Sequence, residues 1–159
     1  MSENQIPTLY QWAGDNLDIF KNLVETFYDL AVADPLLRPL FEDMPPAHRE
    51  NVALWFAEVF KGPKIYSSER GNHAHMIKHH LNLQITEAQR SRWTQLMVIA
   101  ADQVQLPNDP EFRSAFVAYV EWGTRMALMY SQPGQHAPSE ESPMPTWGWG
   151  EVKPYIPEE

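Results

Sequence analysis

Apolar positions along the chain recur with helical spacing. Phe20, Leu23, Val24, Phe27, Leu30 and Ala31 fall three or four residues apart, which places them on one face of a long helix. The spacing predicts that helix over about Asp15 to Ala33. Asp15 or Asn16 would cap its start, and Asp34-Pro35 would end it, because the residue before a proline resists the α conformation. The segment PLLRPLF then reads as a proline-punctuated turn or short helix. A second helix is expected from Pro45-Pro46 to about Phe60, with prolines accommodated in its first turn and Lys61-Gly62-Pro63 as its stop. Residues 64–72 read as loop, residues 73–80 as a short helix, and Leu81 to Ile85 as a connector. Thr86-Glu87-Ala88-Gln89 is a capping-box pattern. It opens a helix carrying Trp93, Leu96, Met97, Ala100 and Val104 on one face and closed by Pro107. Asp109-Pro110-Glu111 opens the last helix, which carries Phe112, Phe116, Tyr119, Val120, Gly123, Ala127 and Tyr130 and ends near Ser131. No stretch alternates with a period of two between turn dipeptides, so the expectation is all-α.

The pattern changes after Ser131. Six of the 14 prolines lie between Pro133 and Glu159, with one Lys against five Glu. Regular secondary structure is not expected there. The aromatic Trp147, Trp149 and Tyr155 point instead to part of this tail packing on the domain or on a partner. The division expected is residues 1–131 as the helical domain and 132–159 as a Pro- and Trp-bearing extension.

Composition narrows the chemistry. The 159 residues carry no cysteine, which excludes disulfides, thiolate metal sites and a thiol nucleophile. The formal charge of −9 and the lack of any basic stripe disfavour nucleic acid. The N-terminus has no signal-peptide pattern. The longest apolar run, Leu96 to Ala101, is far short of the roughly 20 residues of a membrane span. A cytoplasmic protein with no membrane partner is the expectation. Glycine-rich phosphate loops, a GxSxG elbow and an HExxH helix are all missing from the sequence.

Four of the six histidines, His73, His75, His79 and His80, lie within eight residues. On a helix His75 and His79 face the same way, and His80 points about 100° further round. Two readings stay open on these residues alone. His73, His75 and His79 are candidate ligands of a non-haem metal ion. A single imidazole beside a large aromatic cavity would instead suit haem. The cavity candidates are Phe27, Tyr28, Phe41, Trp55, Phe56, Phe60 and Trp93.

Order and spacing add a further clue. Phe27-Tyr28 is followed 13 residues on by Phe41, then by KGPKIYSSERG, then by KHHLNLQIT, and Trp93 lies 13 residues beyond His80. Over residues 8–131 this set resembles the truncated haemoglobins of group II. Two departures accompany it: single glycines, Gly14 and Gly62, where the family has pairs, and a stretch before His80 about one residue long. The resemblance implies a two-over-two helical sandwich around haem b, with His80 as the proximal iron ligand. It implies Tyr28, His48 and Trp93 on the distal side and Phe41 and Val52 against the haem. It implies Tyr66, Lys78 and His79 at the haem propionates. O2, with CO and NO as further diatomic ligands, would bind tightly and leave slowly, because Tyr28 and Trp93 donate hydrogen bonds to it. A peroxidase or nitric-oxide dioxygenase on the same scaffold is the enzymatic alternative. The resemblance is compatible with a homodimer and leaves the redox partner open.

Overall fold

The computed structural model describes residues 6–157. Helix α1 (Leu9–Ala13) is followed by α2 (Leu17–Ala33), α3 (Arg38–Phe41), α4 (Pro46–Val59), a π-helical turn (Tyr66–Arg70), α5 (His73–Lys78), α6 (Glu87–Gln103) and α7 (Pro110–Tyr130). Among the described residues there is no strand, and no helix is long and apolar enough to cross a membrane.

Side-chain caps set most of the helix starts. Asn16 accepts from the Asp18 N–H at 2.9 Å, so α2 begins at Leu17, and Asp15 lies outside it with a left-handed φ of 55°. Thr86 and Gln89 form the reciprocal capping box that opens α6. Asp109 serves two elements: one carboxylate oxygen accepts from the Phe112 N–H at 2.9 Å and starts α7, and the other accepts from the Trp12 indole N–H at 3.0 Å. Helix α1 was not foreseen. It has its own capping box, Thr8 with Gln11.

Two helix pairs form the sandwich. Helix α2 packs against α4, α6 against α7, and α2 lies across α6. The stripe Phe20, Leu23, Val24, Phe27 and Ala31 is buried between them, as its spacing demands. The second half of α4 is buried on every side from Ala53 to Phe60. It lies between α2, the π-helical turn and the C-terminal tail, which is why no one-sided periodicity marks it. Gly62 closes α4 where a Cβ would fall 2.5 Å from the Tyr10 ring and 2.8 Å from the Ala57 carbonyl. Only glycine lets the chain pass there.

Residues 66–70 form a π-helical turn rather than open loop. The Gly71 N–H bonds the Tyr66 carbonyl at 3.1 Å, and Glu58, reaching across from α4, accepts from the Ser67 N–H at 2.9 Å. Helices α5 and α6 end at Lys78 and Gln103, each earlier than the spacing suggested.

From Gln132 on the described chain has no helix or strand, yet it is anchored. The Trp147 backbone N–H bonds the Val59 carbonyl at 2.8 Å, and its indole N–H bonds the Ala115 carbonyl at 3.0 Å. Trp149 packs edge-on against Trp12 and donates to the Pro7 carbonyl at 2.8 Å. Earlier in the tail, Glu140 accepts from the Asn72 side-chain N–H at 2.7 Å and pairs with Lys78, so it touches both ends of α5.

Candidate functional site

A largely apolar cavity lies between the two layers. Helix α2 supplies Phe27 and Tyr28, and α3 and the bend after it supply Phe41 and Met44. Helix α4 supplies His48, Val52, Trp55 and Phe56. The α5 segment supplies His73, Met76, Ile77 and His80. Helices α6 and α7 complete it with Trp93, Met97, Tyr119 and Trp122. Few of these groups are polar, and their size suits a large, flat, mostly apolar guest.

His80 stands in the turn after α5. Its Nδ1 lies 2.9 Å from the Met76 carbonyl oxygen. A carbonyl only accepts, so Nδ1 carries the proton and Nε2 keeps its lone pair. Burial pushes the imidazole pKa down, which favours the neutral ring. A ring nitrogen held by a backbone carbonyl while the other stays basic is the arrangement of a metal-ligating histidine. The turn is fixed from the far end of α7. Buried Ser131 accepts the Ile85 N–H at 3.0 Å on its hydroxyl and the Gln84 N–H at 2.9 Å on its carbonyl.

Opposite the α5 segment, Tyr28 is edge-on to Phe27 and Phe41, and the Arg49 guanidinium covers its ring at 5.2 Å. Arg49 is itself held by Glu25 and Asp29. Among the described residues the Tyr28 hydroxyl hydrogen-bonds only to the Met44 sulfur, at 3.7 Å. Burial raises its pKa, so it remains a donor at neutral pH. His48 stands 6.1 Å from Tyr28, ring to ring, and its pKa is pushed down to about 4 by burial and by His79 and His80. Among the described residues the indole N–H groups of Trp12, Trp55, Trp147 and Trp149 are bonded within the protein, and those of Trp93 and Trp122, both in the cavity wall, are not. The Trp93 ring lies between His80 at 6.3 Å and Phe41 at 5.6 Å.

Six of the expected site residues therefore meet in one cavity: Tyr28, Phe41, His48, Val52, His80 and Trp93. Tyr66, Lys78 and His79 do not line it. Tyr66 is buried edge-on against Trp55, beside Glu58, and burial lifts its pKa to about 12. Lys78 is occupied by Glu140, and the His79 Nε2 faces the His75 Nε2. Phe60 belongs to the core with Phe20 and Phe56 rather than to the cavity. The set His73, His75 and His79 does not converge: His73 lines the cavity and stacks on Trp55, while the other two lie outside. Among the described residues no group of three or more His, Asp or Glu is arranged to hold a metal ion. Sequence reasoning did not place Met44, His73 and Tyr119 in the cavity wall. The His73 Nδ1 is buried without a partner.

Residues 8–122 match the model of the bacterial-like globin family. The chain belongs to that family. This globin is 31% identical over 101 residues to the group 2 truncated hemoglobin YjbI of Bacillus subtilis (strain 168), covering 63% of this chain and 74% of that one. It is also similar to the solved hemoglobin of Chloroflexus aurantiacus, with 30% identity, a TM-score of 0.67 and coverage of 77% of this chain and 98% of the other. A truncated oxygen-avid haemoglobin from Bacillus subtilis matches with 26% identity, a TM-score of 0.66 and coverage of 77% and 99%. Helix order and pairing in this globin are those of the group II two-over-two fold. The family implies a haem iron cofactor and the binding of diatomic gases such as O2. The cavity fits that group. Its wall is largely aromatic, His80 keeps the lone pair of its Nε2, and the buried His73 Nδ1 has no hydrogen-bond partner among the described residues.

Proposed function

We propose that this globin holds haem b through the Nε2 of His80 and takes up O2 reversibly beneath Tyr28 and Trp93. The observation that carries the reading is the hydrogen bond from His80 Nδ1 to the Met76 carbonyl, which fixes the ring and leaves Nε2 basic. When bound, haem iron supplies the coordination chemistry that takes up a diatomic gas.

The chain's own residues do the rest. Phe41 and Val52 line the cavity and would pack against the guest, and the aromatic wall would exclude water. Tyr28 turns its hydroxyl from the Met44 sulfur to the gas, because a thioether is a much weaker acceptor than an oxygen bearing partial negative charge. The Trp93 indole N–H is a second donor in reach of the same space. His48 stays neutral above about pH 4 and so brings no charge to the cavity at neutral pH. Two donors aimed at one acceptor favour tight, slow-release binding. The similar haemoglobin of Bacillus subtilis described as oxygen-avid is consistent with that.

The test is the visible spectrum of the reduced, haem-loaded protein during stepwise addition and removal of O2. A saturable and reversible spectral change supports the proposal. Immediate conversion to the ferric form, with no reversible phase, contradicts it.

A further inference from the structure

The histidine cluster is only partly explained by the cavity, because His75 and His79 lie outside it. Both are exposed, and they sit one helical turn apart at the end of α5. Their Nε2 atoms are 3.2 Å apart, with the rings nearly perpendicular. A tetrahedral zinc with Zn–N bonds of about 2.0–2.1 Å separates two imidazole nitrogens by about 3.3 Å. The spacing of the pair is thus already that of two ligands on one ion. Without a metal, one Nε2 must carry a proton and donate it to the other; an ion about 2 Å from both nitrogens would replace that proton once the rings turn so that both lone pairs converge on it.

A carboxylate, partly neutralised by Lys78, stands beside the pair. Glu140 is fixed by Asn72 and Lys78 and lies close enough to His75 to interact with it electrostatically. The His48 ring is 5.7 Å from that of His79. With two protein ligands, water completes the coordination shell.

We infer that His75 and His79 form a surface site for a borderline-soft divalent transition-metal ion of the zinc, copper or nickel type, separate from the cavity that His80 serves. The site lies on the helix that leads into His80, so an ion there adds positive charge close to the proximal turn. It does not depend on the haem reading, since neither histidine lines the cavity.

The experiment is competition for Zn2+ between a chromophoric chelator and the full-length, haem-loaded protein. One equivalent should bind. His75→Ala and His79→Ala should each weaken binding about tenfold or more, and His136→Ala, which alters an exposed tail histidine, should leave it unchanged. The Soret band of each variant reports that the fold and cavity are intact. Equal zinc affinity in wild type and in both His75→Ala and His79→Ala, with intact spectra, overturns the inference.

Discussion

Replacing Tyr28 with phenylalanine removes one oxygen atom and leaves the packing in place. The ring keeps its edge contacts with Phe27 and Phe41 and its cover by Arg49. The only protein partner lost is the Met44 sulfur at 3.7 Å, a weak bond of about 0.5 kcal/mol. Stability should therefore change by less than about 1 kcal/mol. Gas binding should change far more. A hydrogen bond to a partly charged oxygen contributes roughly 1.5–3 kcal/mol. Turning the hydroxyl away from sulfur gives back about 0.5 of this, which leaves a net ~1–2.5 kcal/mol. At 1.4 kcal/mol per factor of ten, O2 should leave Tyr28→Phe about 5- to 60-fold faster. Stopped-flow displacement of O2 by excess CO reads that rate directly. An unchanged rate in a variant with a normal Soret band would refute the assignment of Tyr28 as a donor.

Other expectations concern the tail, the core and pH. Trp149→Ala should destabilise the protein by about 2–4 kcal/mol in urea unfolding, since a buried indole leaves its contacts with Trp12 and Phe112 and its bond to Pro7. Glu140→Gln should leave the urea midpoint almost unchanged, because its ion pair is exposed and screened by solvent. Trp55→Phe leaves the buried Tyr119 hydroxyl without its 2.8 Å indole partner and should cost about 1–3 kcal/mol. For His48, the folded pKa of about 4 lies below the unfolded value near 6.5. The unfolded chain then binds the extra proton first, so stability is complete above about pH 6.5 and is lost as pH falls toward 4. His48 is part-exposed, so solvent screening reduces the roughly 2.5 kcal/mol that the two pKa values imply, and unfolding free energies of His48→Gln measured from pH 7.5 to 4.5 should lack about 1–2 kcal/mol of that decline.

Long, one-sided helices were legible because their periodicity and caps are local. The stripe of α2 and the capping box of α6 specify themselves within a few turns of chain. Helix α1 was missed because five residues are too few to show a period, although its capping box, Thr8 with Gln11, is present in the sequence. The π-helical turn depends on Glu58 reaching over from another helix, and no local pattern reveals that. The anchoring of Trp149 on Pro7 links the two ends of the chain and is equally silent in local sequence. Within the site, spacing alone did not separate His79 from His80. Their roles diverge because α5 ends at Lys78 and the following turn sends the two rings in different directions. Phe60 is a cavity candidate on aromatic composition and Tyr66 a propionate contact by resemblance, yet Phe60 follows the end of α4, which is buried on all sides. An aromatic residue there has a choice of cores that composition does not resolve.

The central claim is that His80 Nε2 would hold the haem iron in a largely aromatic cavity. Low-frequency resonance Raman spectroscopy of the reduced, gas-free protein tests it most directly. An iron–histidine stretching band is predicted in the wild type, lost in His80→Gly, and replaced by an iron–imidazole band when imidazole is added. Persistence of the wild-type band in His80→Gly would contradict the account.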